Sequence, residues 1–195
     1  MTDQNQSGAP EFARGLSGRP DPHYRKFTAK QKIRSWRYRM LQRFHRGSII
    51  FPVTSRDHSR AYPVTYGYGV RNRIYKYGHH TGEDHACPVG SLALATSFGH
   101  VIYAGPAASR WGSDYGIQVI MRTGDGKFDY AHNHLSRVLV KAGDKITPGM
   151  TVGLTGATGH VTGPHSHFEA RPAGGRYGSD VHPYLVKHNR YAKKR

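Results

Sequence analysis

The chain has 195 residues, 36% of them hydrophobic, and carries 29 Lys/Arg against 12 Asp/Glu for a formal charge of +17. Its 24 glycines and 11 prolines favour turns and short strands over a helical bundle. The single cysteine, Cys87, excludes an internal disulfide and any zinc site built on two or four cysteines, so a metal would have to be held by His, Asp and Glu.

Residues 1–22 are polar and rich in Gly, Pro and Ser, a composition that predicts disorder. Their first six residues show no charged start followed by an apolar run, so no Sec-type signal peptide is expected. A basic amphipathic helix is predicted over about 28–45. Thr28 and Gln31 have capping-box spacing, and Ile33, Trp36, Met40, Leu41 and Phe44 keep a helical period. Lys32, Arg34, Arg39 and Arg43 surround that stripe, and Gly47-Ser48 ends it. Such a helix can pack its apolar stripe on the domain, lay its basic face on an anionic surface, or do both.

From Ile49 the pattern becomes β-type. Strands are expected at Ile49–Val53, Leu92–Ala95, Val101–Ala104, Ile117–Met121, Val138–Val140 and Val152–Leu154. Gly124-Asp125-Gly126, Ala142-Gly143-Asp144 and Pro148-Gly149 supply turns between them. The fold class is therefore mainly β. The predicted organisation is an N-terminal extension over 1–48, a β domain over 49–187 and a basic tail over 188–195. Charge follows the same division: 1–48 hold eleven Lys/Arg against three acids, 188–195 hold four against none, and the residues between hold fourteen against nine. The excess sits at the two ends, where an anionic partner would meet it. No run approaches 18 apolar residues, so no transmembrane helix is expected.

Three blocks carry metal-type side chains. They are His80-Thr81-Gly82-Glu83-Asp84, Tyr130-Ala131-His132-Asn133-His134-Leu135-Ser136 and Gly163-Pro164-His165-Ser166-His167-Phe168-Glu169. In a strand, residues i and i+2 point to one face, so His165 and His167 would share a site. His80 and Asp84 could reach one ion from a turn or a helix, and Gly82 between them suggests a loop. The first and third blocks could thus supply two histidines and a carboxylate, a zinc set with an open position.

Together the blocks resemble the zinc metallopeptidases of the lysostaphin and LytM type, the M23 peptidases that cut peptidoglycan. Members read roughly His-x-Gly-x-Asp, Tyr-Ala-His-Leu-Ser and Gly-Pro-His-Leu-His-Phe-Glu. The likeness continues through Cys87-Pro88-Val89-Gly90 to Gly99-His100-Val101-Ile102, and through Val140–Ile146 to Gly153–Gly159. The resemblance implies an antiparallel β-sheet peptidase domain with one Zn2+ per chain, held by His80, Asp84 and His167, and an open fourth position for water. It also implies that His165 is a catalytic residue acting on that water as base or oxyanion partner. The second catalytic histidine is either His132, which fits Tyr-Ala-His, or His134, which fits His-Leu-Ser; both face the site if their strand is regular. Ser166 stands where the family has Leu and is expected to face away from the metal. Glu83 is expected to point elsewhere, Cys87 to be a small core residue, and His79, His85, His100 and His160 to be structural.

The implied partner is bacterial peptidoglycan, with the basic ends holding anionic wall polymer and the chain acting as a monomer. Arg176-Tyr177-Gly178-Ser179-Asp180-Val181 resembles members from actinobacteria and their phages. The corresponding expectation is a phage endolysin, kept in the host cytoplasm until a holin releases it to the wall. A virion-associated or bacterial wall-remodelling hydrolase, or a non-catalytic peptidoglycan-binding module, is the alternative. A specific nucleic-acid binder is disfavoured, because no known module is visible and the histidines would go unused.

Overall fold

The computed structural model of the chain describes residues 51–107 and 111–187. The predicted disordered start, basic helix and basic tail lie outside them. Nine strands run in chain order: β1 (Val53–Thr54), β2 (Gly82–Ala86), β3 (Leu92–Leu94), β4 (Gly99–Pro106), β5 (Ile117–Thr123), β6 (Phe128–Val138), β7 (Lys145–Ile146), β8 (Thr151–Thr155) and β9 (His165–Pro172). One turn of helix, α1 (Tyr184–Lys187), closes the described chain. The mainly β prediction holds. No helix among the described residues is long and apolar enough to cross a membrane.

Every strand pairing is antiparallel, in the order β1-β3-β8-β6-β5-β4-β7, with β9 branching from β6 and β2 added to β9. The branch sits on β6. Its residues 128–133 pair with β9, whereas Leu135–Val138 pair with β8. His134 lies at the change of partner and has φ 61°, a left-handed conformation that is uncommon outside glycine. There the strand bends from one neighbour to the other.

The alternation of each strand builds the core. Val119, Met121, Tyr130, Phe168 and Ala170 belong to one buried cluster that includes Val101, Ile146 and Val152. Glycines take up the tight connections: Gly126, Gly143 and Gly149 have φ of 74°, 90° and 81° in the three turns marked by the sequence. Two strand expectations shift. Val138 ends β6 and Val140 lies beyond it, while of Ile49–Val53 only Val53 opens a strand among the described residues. The loop expected around Gly82 is instead β2. Gly82 is needed there for closeness, since a Cβ would come within 2.6 Å of the Phe168 carbonyl and 2.8 Å of the His167 ring.

Candidate metal centre

Register brings the first and third blocks together. In the β2–β9 pair Asp84 lies opposite His167 and Ala86 opposite His165. Directly opposed residues share a face, so the Asp84 carboxylate meets the His167 imidazole. His80 arrives from the loop before β2, its backbone tied to Val70 and Gly69. Tyr66 and Tyr75 pack on its ring at centroid distances of 5.0 and 5.4 Å. Three donor atoms converge: His80 Nε2 is 3.0 Å from His167 Nδ1, which is 2.9 Å from Asp84 Oδ1, and Asp84 Oδ1 is 3.2 Å from His80 Nε2.

The outer nitrogens say what this triangle is for. His80 Nδ1 donates to the Gly67 carbonyl (2.9 Å), and His167 Nε2 donates to Glu169 Oε2 (3.2 Å). In the neutral rings His80 Nε2 and His167 Nδ1 then carry lone pairs. Two lone pairs and a carboxylate oxygen aimed at one point repel one another unless a cation lies between them. Tetrahedral zinc with bonds of about 2.0–2.1 Å holds its donors about 3.3 Å apart, close to the spacings here. The chemistry and spacing of the donors fit zinc. Burial opposes charge on His167, but Asp84 and Glu169 outweigh it and push its pKa up to about 9. Burial likewise opposes charge on Asp84, but His167 and His80 hold it well below the usual carboxylate range.

Two more imidazoles flank the triangle. His165 projects from β9 on the same face as His167; its Nδ1 donates to the Gly163 carbonyl (2.9 Å) and its Nε2 lies 3.7 Å from Asp84 Oδ1. His134 donates from Nδ1 to the Thr158 carbonyl (2.8 Å), and its ring lies 4.8 Å from His165 and 6.1 Å from His167. Burial and the charge of His167 push His134 down to about 3, so it is neutral near pH 7. In both rings the bond to a carbonyl fixes the proton on Nδ1 and leaves Nε2 as an acceptor.

His132 is not at this site. A regular strand would have put both histidines on one face, but the left-handed backbone at His134 breaks the alternation. His132 stays in register with Phe168, fully buried on the far side of β9. Its Nδ1 meets Ser166 Oγ at 3.0 Å, its Nε2 meets the Leu94 carbonyl at 2.9 Å, and its ring packs 5.0 Å from Phe168. The carbonyl takes the Nε2 proton, so Ser166 donates to Nδ1. The two departures from the family pattern, the doubled histidine and the serine for leucine, are thus hydrogen-bond partners.

The remaining residues fall into place around the centre. Glu83 turns away from Asp84 and pairs with Lys187 Nζ at 2.5 Å. His79 binds Asp180 at 2.9 Å, His85 the Tyr62 carbonyl at 2.8 Å, and Cys87 packs with Val53 and Tyr62. His100 lies in β4 opposite Arg122 and Lys145, and the backbone of His160 bonds Asp114. Sequence reasoning gave no role to Glu169, Arg171, Tyr115 or Thr81. Glu169 Oε2 also accepts from Thr81 Oγ1 (2.9 Å) and Tyr115 OH (2.5 Å), while Arg171 pairs with Oε1. Burial and the nearby Glu169 charge raise the Tyr115 pKa well above its usual value, so it remains a phenol. The available signal was the alternation His165-x-His167-x-Glu169-x-Arg171, four polar side chains on one strand face.

The chain is similar to known proteins. The description "Peptidase family M23" matches residues 78–182. The chain is 34% identical over 108 residues to the glycyl-glycine endopeptidase ALE-1 of Staphylococcus capitis, covering 55% of this chain and 29% of that protein. It is 32% identical over 126 residues to the peptidoglycan DD-endopeptidase ShyA of Vibrio cholerae, covering 61% and 26%. The chain therefore spans roughly a quarter of the length of these relatives. The crystallised catalytic domain of lysostaphin from Staphylococcus simulans superposes with a TM-score of 0.58 at 30% identity, covering 64% of this chain and 90% of that one. The matched segment holds all three donors and both flanking histidines and takes in over half of the residues, so the chain belongs to Peptidase family M23.

Proposed function

We propose that the chain is a zinc-dependent endopeptidase that hydrolyses stem or cross-link peptides of bacterial peptidoglycan. The observation that carries this reading is the convergence of His80 Nε2, Asp84 Oδ1 and His167 Nδ1 beside two imidazoles fixed as acceptors. When bound, zinc supplies a Lewis acid for a peptide carbonyl and acidifies water. The chain's own part is proton handling. His134 Nε2 and His165 Nε2 flank the open side of the triangle, where each can accept a proton from attacking water. Once protonated, the ring stabilises the developing oxyanion and returns the proton to the leaving amine. His132, bonded at both nitrogens, has no part in these steps.

The endopeptidase relatives named above support peptidoglycan as the substrate. They differ in the bond their names give, so the scissile bond is best read directly. Mass spectrometry of muropeptides from digested walls should show new termini at one peptide bond, formed only with zinc present. Intact muropeptides after digestion with zinc-loaded protein would refute the reading. The resemblance of Arg176–Val181 to members from actinobacteria and their phages supports a phage endolysin that stays in the host cytoplasm until holin release. Induced expression alone should then leave host cells intact, with lysis following when the membrane is permeabilised. The basic ends, with their excess of eleven over three and four over none, support retention on anionic wall polymer. Deleting residues 1–48 should weaken wall binding at moderate salt while sparing cleavage of a soluble peptide. Action as a monomer is part of the same proposal.

A further inference from the structure

Behind the metal centre lies a second set of polar groups that touches no donor position of the triangle. Glu169 and Arg171, both fully buried, follow His167 on the same face of β9. Glu169 is surrounded by donors: Oε2 receives His167 Nε2–H, Tyr115 OH and Thr81 Oγ1, and Oε1 receives the Arg171 guanidinium. Arg171 is itself held from beyond. Its guanidinium carbon lies 4.0 Å over the Trp111 ring and 5.4 Å from that of Tyr177, and Nη2 donates to the Trp111 carbonyl at 3.1 Å. Thr81, next to the ligand His80, ties the first block to the same carboxylate.

A buried carboxylate is costly to maintain, and a buried pair is seldom favoured over apolar packing for stability alone. This one sits against the one ring of the triangle that has no backbone partner. The outer nitrogen of His80 is fixed by the Gly67 carbonyl, whereas that of His167 is fixed only by Glu169. We propose that the Glu169–Arg171 pair is a positioning device for the third metal ligand. Glu169 holds the proton on His167 Nε2, leaving the Nδ1 lone pair aimed at the ion, and Arg171, clamped on Trp111, holds Glu169 in place as an anion. The proposal rests on the assignment of His80, Asp84 and His167 as ligands. Arg171 then acts on metal affinity through two intervening groups, without touching metal or substrate.

Zinc affinity, measured by competition with a chromogenic chelator on the full chain, tests this together with the melting of the metal-free protein. Glu169→Gln keeps the shape of the side chain, but next to Arg171 its amide oxygen turns to the guanidinium and its NH2 group faces the His167 N–H. It should lose about 10–100-fold in zinc affinity, the range for partners that orient a metal-bound histidine. Its Co2+ form should show an altered ligand-field spectrum. Adding Arg171→Met to Glu169→Gln should cost no further affinity, because Arg171 works only through Glu169. Should Glu169→Gln fail to fold, Tyr115→Phe removes one donor to the same carboxylate and should cost about fivefold. Wild-type zinc affinity in folded Glu169→Gln, or in Tyr115→Phe, would overturn the proposal. So would losses that simply add in the double variant. Failure of the wild-type chain itself to bind zinc would instead sink the ligand assignment on which the proposal rests.

Discussion

The two faces of β9 differ in kind. One presents His165, His167, Glu169 and Arg171; the other presents Ser166, Phe168 and Ala170. Both are buried over most of their length. On the polar face each group is held by another polar group, and the row ends where His167 meets Asp84 and His80. On the apolar face Phe168 and Ala170 fill the core, and the one polar side chain, Ser166, is matched by His132. The contrast teaches that burial alone does not mark a core. What separates the faces is whether the bonds close on themselves, as Ser166 and His132 do, or bring three metal-type ligand atoms together, as His80, Asp84 and His167 do.

β6 extends the contrast, because its two histidines join opposite faces. His134 belongs to the polar face by virtue of its left-handed backbone, and His132 to the apolar one. The strongest test removes the polar face's function. Asp84→Ala or His167→Ala should abolish stoichiometric zinc binding and lower peptide cleavage by more than about a thousandfold, the lost metal contributing several kcal/mol of transition-state stabilisation. Next, His134→Ala should retain its zinc and melting temperature but lose about 10²–10⁴ in kcat. His132→Ala should do the reverse, keeping kcat within a few-fold while losing about 2–4 kcal/mol of stability from the cavity and the unpaired Leu94 carbonyl. Equal effects of the two would erase the distinction between the faces. Phe168→Ala, a pure core change, should cost about 3–5 kcal/mol in denaturant unfolding and leave zinc affinity unchanged in the folded protein.

The smallest test uses pH. Burial holds His132 down to about 4, against 6.5 for the exposed ring. The unfolded chain takes up the proton first, so this residue's share of stability is complete above about pH 6.5 and is lost as pH falls through the window to about 4. The full loss is about 3 kcal/mol at 1.36 kcal/mol per unit. His132→Gln should flatten the fall in melting temperature over that window, and the slope that remains belongs to other buried groups such as His85, whose pKa burial also lowers. An unchanged slope would mean that His132 takes up its proton as readily in the folded protein as in the unfolded chain.

Much of the site was legible because it is local or alternating. The shared face of His165 and His167 follows from strand period alone, His80 and Asp84 stood out as possible companions by their spacing, and the resemblance assigned the ligand roles. The strands of the core were visible as short apolar runs, four of which lie within or nearly coincide with β3, β4, β5 and β8. Three things were hidden for physical reasons. Gly82 signals a loop by propensity, yet it marks close approach of β2 to β9. The placement of His134, and not His132, beside the triangle depends on one backbone angle at the point where β6 changes neighbours, and side-chain spacing does not encode that angle. The role of Ser166 could be seen only with His132 placed against it, because the two lie 34 positions apart.

In the proposed function the polar face of β9 and its neighbours form one catalytic zinc site. Metal-free protein titrated with Zn2+ while cleavage of a peptidoglycan-derived peptide is followed tests it most directly. Activity should rise from baseline, saturate at one zinc per chain, and fail to appear at any zinc concentration in Asp84→Ala. Cleavage that persists in fully metal-free protein, or that Asp84→Ala retains, would contradict the account.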